Sequence, residues 1–178
     1  MVLELLLSLS QLLDPTDDGS LRDDLKLAAE RPADYLAKHP EMRERMMNNA
    51  DPAANGSLPW LALVDGLIAR GYATELDYKT TGTDAAASLE HLKSHTRFSR
   101  KTREWLKTLG PEGMTTASCL RRVAAHAAFD GVVVAVMDID SDSYIVLILG
   151  KDDYKKATRF AEQLGYILKD IREHDPNE

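Results

Sequence analysis

The stretch Gly131–Gly150, GVVVAVMDIDSDSYIVLILG, constrains the fold more than any other part of the chain. Two aliphatic, largely β-branched runs flank Asp138-Ile139-Asp140-Ser141-Asp142. β-Branched side chains suit a pleated surface and Asp and Ser suit turns, so the pattern reads strand–turn–strand. The turn lacks an Asn-Gly or Asp-Gly pair, so a connection of about three to five residues is expected in place of a two-residue one.

Around this hairpin the chain reads as mostly helical. Leu5, Leu6, Leu9, Leu12 and Leu13 recur at the spacing of an amphipathic helix. Asp14–Gly19 is a loop, and Ser20 is expected to cap a second helix with Asp23 three positions on as the other half of a capping box. Pro32 and Pro40 restart the chain twice more, and Ala50–Ser57 (ADPAANGS) has the composition of a linker. Residues 1–50 are therefore expected to form an N-terminal helical segment packed on the rest, and residues 51–178 an α+β domain. In Leu58–Arg70, Trp60, Leu63, Val64, Leu67 and Ile68 make one apolar stripe, with Pro59 in the first turn and Gly71 past the end. Thr74–Lys79 alternates like a short strand, and Thr83–His95, Ser99–Leu109 and Thr115–Ala128 read as helices, with Gly110–Gly113 as the turn before the last. Lys151–Leu164 is a helix stopped by Gly165, and Tyr166–Ile171 a last strand. A strand, helix and strand over Tyr144–Ile171 imply a right-handed parallel crossover if both strands share a sheet. The expected fold is α+β, mostly helical, with a small mixed sheet of about four strands.

The charge balance narrows the function. Against 22 Lys and Arg stand 29 Asp and Glu, a net −7, which opposes non-specific binding to nucleic acid or anionic membrane and would steer a basic partner. A single cysteine, Cys119, excludes an internal disulfide and a cysteine-based zinc site and suits a reducing compartment. The apolar N-terminal stretch carries Glu4, has no positive start and is too short to span a bilayer, so a cytoplasmic protein is expected. The chain has no G-x-S-x-G, phosphate-binding loop or G-x-G-x-x-G.

Asp138, Asp140 and Asp142 space their carboxylates as the start of a calcium loop does, but Ser143 and Leu149 stand where that loop needs Gly and Glu. A divalent cation held there with help from Asp65 or Asp77 would make a metal-dependent hydrolase with an aspartate cluster. The plainer reading is turn chemistry, with the like charges also discouraging edge pairing. Asp65 lies about 110° from the centre of its helix's stripe, a boundary position from which an acid reaches a neighbouring cation. Glu75 and Asp77 share one face of their strand.

His91 and His95 have metal-pair spacing on the helix expected at Thr83–His95, without the glutamate that a metalloprotease helix places after its first histidine. Lys93, Arg97, Arg100, Lys101, Arg103 and Lys107, interleaved with Phe98 and Trp105, give residues 91–107 the look of a nucleic-acid patch. The two helices around it outline a helix-turn-helix. Trp105 and Leu109 at core spacing and the acidic total oppose that reading. Cys119 shares a face with Leu120, Val123 and Ala127 as a packed thiol, about 10 Å along the helix from His126 and so out of its direct reach.

The segments Trp60–Tyr72 (WLALVDGLIARGY) and Asp138–Tyr144 (DIDSDSY) resemble those of an uncharacterised bacterial family defined as a domain of unknown function. The resemblance spans Trp60 to Ile171. It implies a bacterial cytoplasmic protein, and it carries over no activity and no functional residue. In size, acidity and α+β make-up the chain is also similar to immunity proteins that block secreted bacterial toxins, a likeness of architecture alone.

The expected function is a non-enzymatic, immunity- or regulator-like protein-binding domain. It would present an acidic surface of Asp138, Asp140, Asp142, Asp65 and Asp77 to a basic protein partner, with no cofactor and no membrane association. The alternatives are the metal-dependent hydrolase and a nucleic-acid binder through residues 91–107.

Overall fold

The computed structural model describes residues 2–48, 58–109 and 114–173. The expected linker Ala50–Ser57 and the Gly110–Gly113 turn lie outside the described residues. Helices α1 (Val2–Leu13), α2 (Ser20–Glu30), α3 (Pro32–Lys38), α4 (Glu41–Asn48) and α5 (Leu58–Ala69) precede strand β1 (Ala73–Asp77). Helices α6 (Gly82–Glu90), α7 (Arg100–Leu106) and α8 (Thr116–Ala127) lead into the hairpin of β2 (Val132–Met137) and β3 (Ser143–Gly150). Helix α9 (Lys151–Leu164) and β4 (Leu168–Asp170) end the fold. The protein is α+β and mostly helical, with one four-stranded antiparallel sheet.

The sheet runs β1-β3-β2-β4, and helices cover both of its faces. That cover explains the two unbroken aliphatic runs, since β2 is buried at every position. Val133, Ala135 and Met137 of β2 stand opposite Leu149, Leu147 and Ile145 of β3, and all six meet the core formed with α1, α2, α5 and α9. The alternate residues Val132, Val134, Val136, Val146 and Ile148 face α6 and α8. Tyr35 of α3 and Met42 of α4 are buried in the first core, so the N-terminal helices share it with the sheet. Helix α5 is buried well beyond its expected stripe, with Leu61 and Ala62 also covered.

Three local expectations are corrected. The sheet is not mixed: all three ladders are antiparallel. The outer edge of β3 is taken by β1, so after α9 the chain lays β4 on the far side of β2. β3 and β4 do run in the same direction, with β2 between them. The helix expected over Thr83–His95 stops at Glu90, because Leu92 turns extended and buried while Lys93 N–H donates to Gly71 C=O at 2.8 Å, and His95 falls in a separate 3-10 turn (Lys93–Arg97). Ser20 does not cap α2. Asp17 does, accepting the N–H groups of Leu21 (3.0 Å) and Arg22 (3.3 Å), and the Ser20 hydroxyl instead accepts from Arg70 Nη2 at 2.5 Å.

The remaining elements lie close to their expected ranges. The hairpin connection is Asp138–Asp142, and α9 covers Lys151–Leu164 with Gly165 left-handed (φ 81°) just past it. The first strand starts one residue and ends two residues earlier than expected, and the last is shorter, giving way to a 3-10 turn at Ile171.

Candidate functional site

The three turn aspartates are held from both sides. Asp138 N–H donates to Ile167 C=O at 3.0 Å, which ties the tip to the approach of β4. Asp138 C=O accepts from Trp60 Nε1 at 2.8 Å, and the Trp60 indole, 1% exposed, stacks on Tyr166 at 4.4 Å and 7°. Asp138 Oδ1 accepts the N–H of Asp140 at 2.9 Å, closing an Asx turn, and Ser141 Oγ accepts the N–H of Ser143 at 3.2 Å. Asp140 takes a left-handed conformation (φ 53°), which Asp tolerates better than most residues because its short side chain bonds locally. Ile139 between them is buried in the core. The tip is thus a preset loop that leaves Asp138, Asp140 and Asp142 exposed.

Asp77 joins them. The register pairs it with Ser143, at the same end of the sheet as the tip. Its carboxylate accepts Lys79 N–H at 2.7 Å, and its own residue is exposed. The turn that follows is drawn onto the start of α8 by the buried Thr116 hydroxyl, which lies 2.7 Å from Thr80 C=O, 3.0 Å from Asp77 C=O and 3.2 Å from Tyr78 C=O. One O–H donates to one of these carbonyls at a time, so the hydroxyl ties the turn at its closest partner, Thr80. Tyr78, 48% exposed, and Ile167, 50% exposed, flank the acids at the two edges of this sheet end. Across four strands that end is about 15 Å wide.

Asp65 is apart from this group. It pairs with Arg45 Nη1 at 3.2 Å, and the same nitrogen reaches Glu75 Oε2 at 3.0 Å, so one guanidinium of α4 neutralises acids of α5 and β1. Burial pushes the Asp65 carboxyl up; Arg45 opposes this, while Glu75 and Glu41 add to it. The structure therefore brings together four of the five expected binding acids and ties the fifth to a cation. The described residues contain no group of three or more His, Cys, Asp or Glu placed to hold a metal ion.

Three of the six cations of the basic segment have partners within the chain. Arg97 pairs with Asp153 (3.1 Å) and Arg100 with Glu104 (3.4 Å), Lys93 lies over the Tyr72 ring, and Phe98 is core. Trp105 stacks on His126 at 4.1 Å, and His126 Nδ1 is 3.1 Å from Thr102 Oγ1. His91 follows the end of α6 and His95 lies in the 3-10 turn, so the two do not share a helix face. Cys119 is fully buried, donates to Gly82 C=O at 3.2 Å, and is pushed by burial up to about 11, a packed thiol as its apolar face implied.

The sequence reading missed Trp60 as the tie to the tip and the exposure of Tyr78 and Ile167. Trp60 has the spacing of a core anchor, which it also is, and its indole N–H gives no periodic signal. Ile167 stood inside an expected strand, and the chain pattern did not mark the residue just outside the ladder.

No helix among the described residues is long and apolar enough to cross a membrane. No curated protein and no solved structure matches the chain. Residues 5–171 match the family described as a domain of unknown function, DUF6630, and the chain belongs to that family.

Proposed function

We propose that this member of the DUF6630 family is a non-enzymatic protein-binding domain that offers the acidic end of its sheet to a basic partner. The observation that carries the reading is the apolar pair Tyr78 and Ile167, each about half exposed, set on either side of Asp77, Asp138, Asp140 and Asp142. An exposed aromatic and an aliphatic side chain supply contact area, and carboxylates around them supply steering and register for a cationic surface. The bonds from Trp60 and Ile167 and the Asx turn hold the loop in one conformation before any partner arrives. A preset loop loses less conformational entropy on binding than a free one. Immunity or regulatory binding is the concrete form of this function, and a bacterial, cytoplasmic setting accords with it.

The test is fluorescence anisotropy of a labelled arginine- and lysine-rich peptide against the purified protein at low salt. The Asp77→Asn/Asp140→Asn/Asp142→Asn variant is expected to bind about tenfold or more weakly, whereas neutralising Asp23 and Glu30, exposed acids of α2, leaves binding nearly unchanged. Equal losses in both variants would reduce the effect to net charge and contradict a dedicated surface.

A further inference from the structure

We propose that Asp140 is a site of spontaneous covalent modification, isomerising to isoaspartate through a cyclic imide formed with the nitrogen of Ser141. This holds whether or not the acidic end binds a partner.

In this reaction the amide nitrogen of the following residue attacks the aspartate Cγ. An N–Cγ bond forms, and the carboxyl hydroxyl leaves as water with the amide proton, closing a succinimide ring. Water then adds back across one of the two imide N–C bonds. Breaking the N–Cγ bond restores aspartate. Breaking the bond to the backbone carbonyl carbon leaves the main chain running through Cγ, which is isoaspartate. No oxidant, reductant or enzyme takes part. The reaction needs a small following residue, a free attacking N–H, and a peptide plane that can turn to bring nitrogen and carboxyl together.

By residue type alone, Asp18-Gly19, Asp65-Gly66 and Asp130-Gly131 rank ahead of Asp140-Ser141 and Asp142-Ser143, because glycine puts no side chain in the path of the attack. The fold reverses that order. Gly66 lies inside α5, and Asp65 is paired with Arg45. Gly131 N–H donates to Ala128 C=O at 3.2 Å, and Asp130 Oδ2 accepts from Ser99 N–H at 2.9 Å. Asp18 is exposed, but its Oδ1 accepts Ser20 N–H at 3.1 Å, and the Ser20 bonds hold its carboxyl below the usual carboxylate range. Less of it is then present as the acid, the form that loses water.

The same requirements separate the three aspartates of the hairpin tip. Asp138 has its carboxylate on Asp140 N–H, its carbonyl on Trp60 Nε1, and the buried, β-branched Ile139 after it. The nitrogen that Asp142 would need belongs to Ser143, which begins β3 and donates its N–H to Ser141 Oγ at 3.2 Å. Asp140 and Ser141 are both exposed. Among the described residues, the Asp140 carboxylate, the Asp140 C=O and the Ser141 N–H have no hydrogen-bond or ion-pair partner. The peptide plane between Asp140 and Ser141 can therefore turn without breaking a bond. The product lengthens the main chain of the tip by one carbon, about 1.5 Å, and leaves the Asp140 carboxylate directly on its Cα.

Peptide mapping of the intact protein, incubated for weeks at physiological temperature and pH, tests this with fragmentation that tells isoaspartate from aspartate at each residue. Isomerisation leaves the mass unchanged, which separates it from asparagine deamidation. In the folded chain isoaspartate is expected to build up first at Asp140, ahead of Asp18, Asp130 and Asp142. In urea the Asp-Gly pairs are expected to lead instead. Asp140→Glu, whose imide ring is larger and closes far more slowly, and Ser141→Val, whose branched side chain blocks the approach, are each expected to lose the signal at residue 140. Circular dichroism checks that both variants fold. Isoaspartate arising first at another described aspartate of the folded chain, or none at Asp140, would overturn the proposal. An order in urea that matches the folded chain would also overturn it, because the fold would then not select the site.

Discussion

Trp60 does two jobs with one side chain. Its ring fills the core under the sheet, and its N–H fastens the Asp138 carbonyl at the acidic tip. Trp60→Phe keeps much of the ring and removes the donor. It is expected to cost about 1–3 kcal/mol, the price of leaving a carbonyl without its partner, and to speed amide exchange at Asp138–Asp142. Denaturant unfolding and hydrogen exchange check it, and unchanged exchange at the tip would show that Trp60 does not hold the loop. Asp65 gives a pH dependence of defined sign. Burial raises its carboxyl above the ordinary 3.8, with Glu75 and Glu41 adding and Arg45 opposing. The folded chain then keeps a proton that the unfolded chain has already released. This contribution to stability is full below 3.8 and is lost as pH climbs through the raised value. Asp65→Asn is expected to remove that downward slope in urea titrations carried upward in pH from 3.8. An identical slope in the variant would assign the pH dependence to other groups.

Helices α2 and α5 approach each other at Gly66, where a Cβ would collide with Leu21 Cδ1, itself 1% exposed. Alanine would gain up to about 1 kcal/mol of helix propensity, but the clash forces a buried leucine to move and overpacking costs about 1–3 kcal/mol. Gly66→Ala is expected to lower the thermal midpoint, and a raised midpoint would show that the helices have room to part. The pattern of residues revealed the elements better than their arrangement. Helix α9 and the hairpin were legible because an apolar stripe ending in Gly165, and two aliphatic runs around five turn residues, are signals within one stretch of chain. The end of α6 was not, because a bond to Gly71, far back in the chain, decides it. The cap of α2 was missed for a related reason: Asp17 reaches forward over four residues to do what the local pattern assigned to Ser20. The antiparallel placement of β4 depends on β1 occupying the edge of β3, a fact of the assembled sheet. At the site, the turn chemistry of Asp138 and Ser141 was readable from the DIDSDS run, and the nearness of Asp77 was not, because only the register with Ser143 sets it.

As a whole the molecule is a sheet clad in helices on both faces, which leaves its two ends as the places where strands meet solvent. One end gathers Asp77, Asp138, Asp140 and Asp142 around Tyr78 and Ile167; the other carries the exposed Phe129. The total is −7, and acids also occur over the rest of the surface. The decisive question is whether binding is confined to the acidic end. An amide NMR titration of the labelled protein with the arginine- and lysine-rich peptide answers it directly. The account predicts saturable shifts at residues 77–79, 138–143 and 167, small shifts on α2 and α3, and loss of the response in Asp77→Asn/Asp140→Asn/Asp142→Asn. Shifts scattered over every acidic helix, or confined to a surface away from the sheet end, would contradict it.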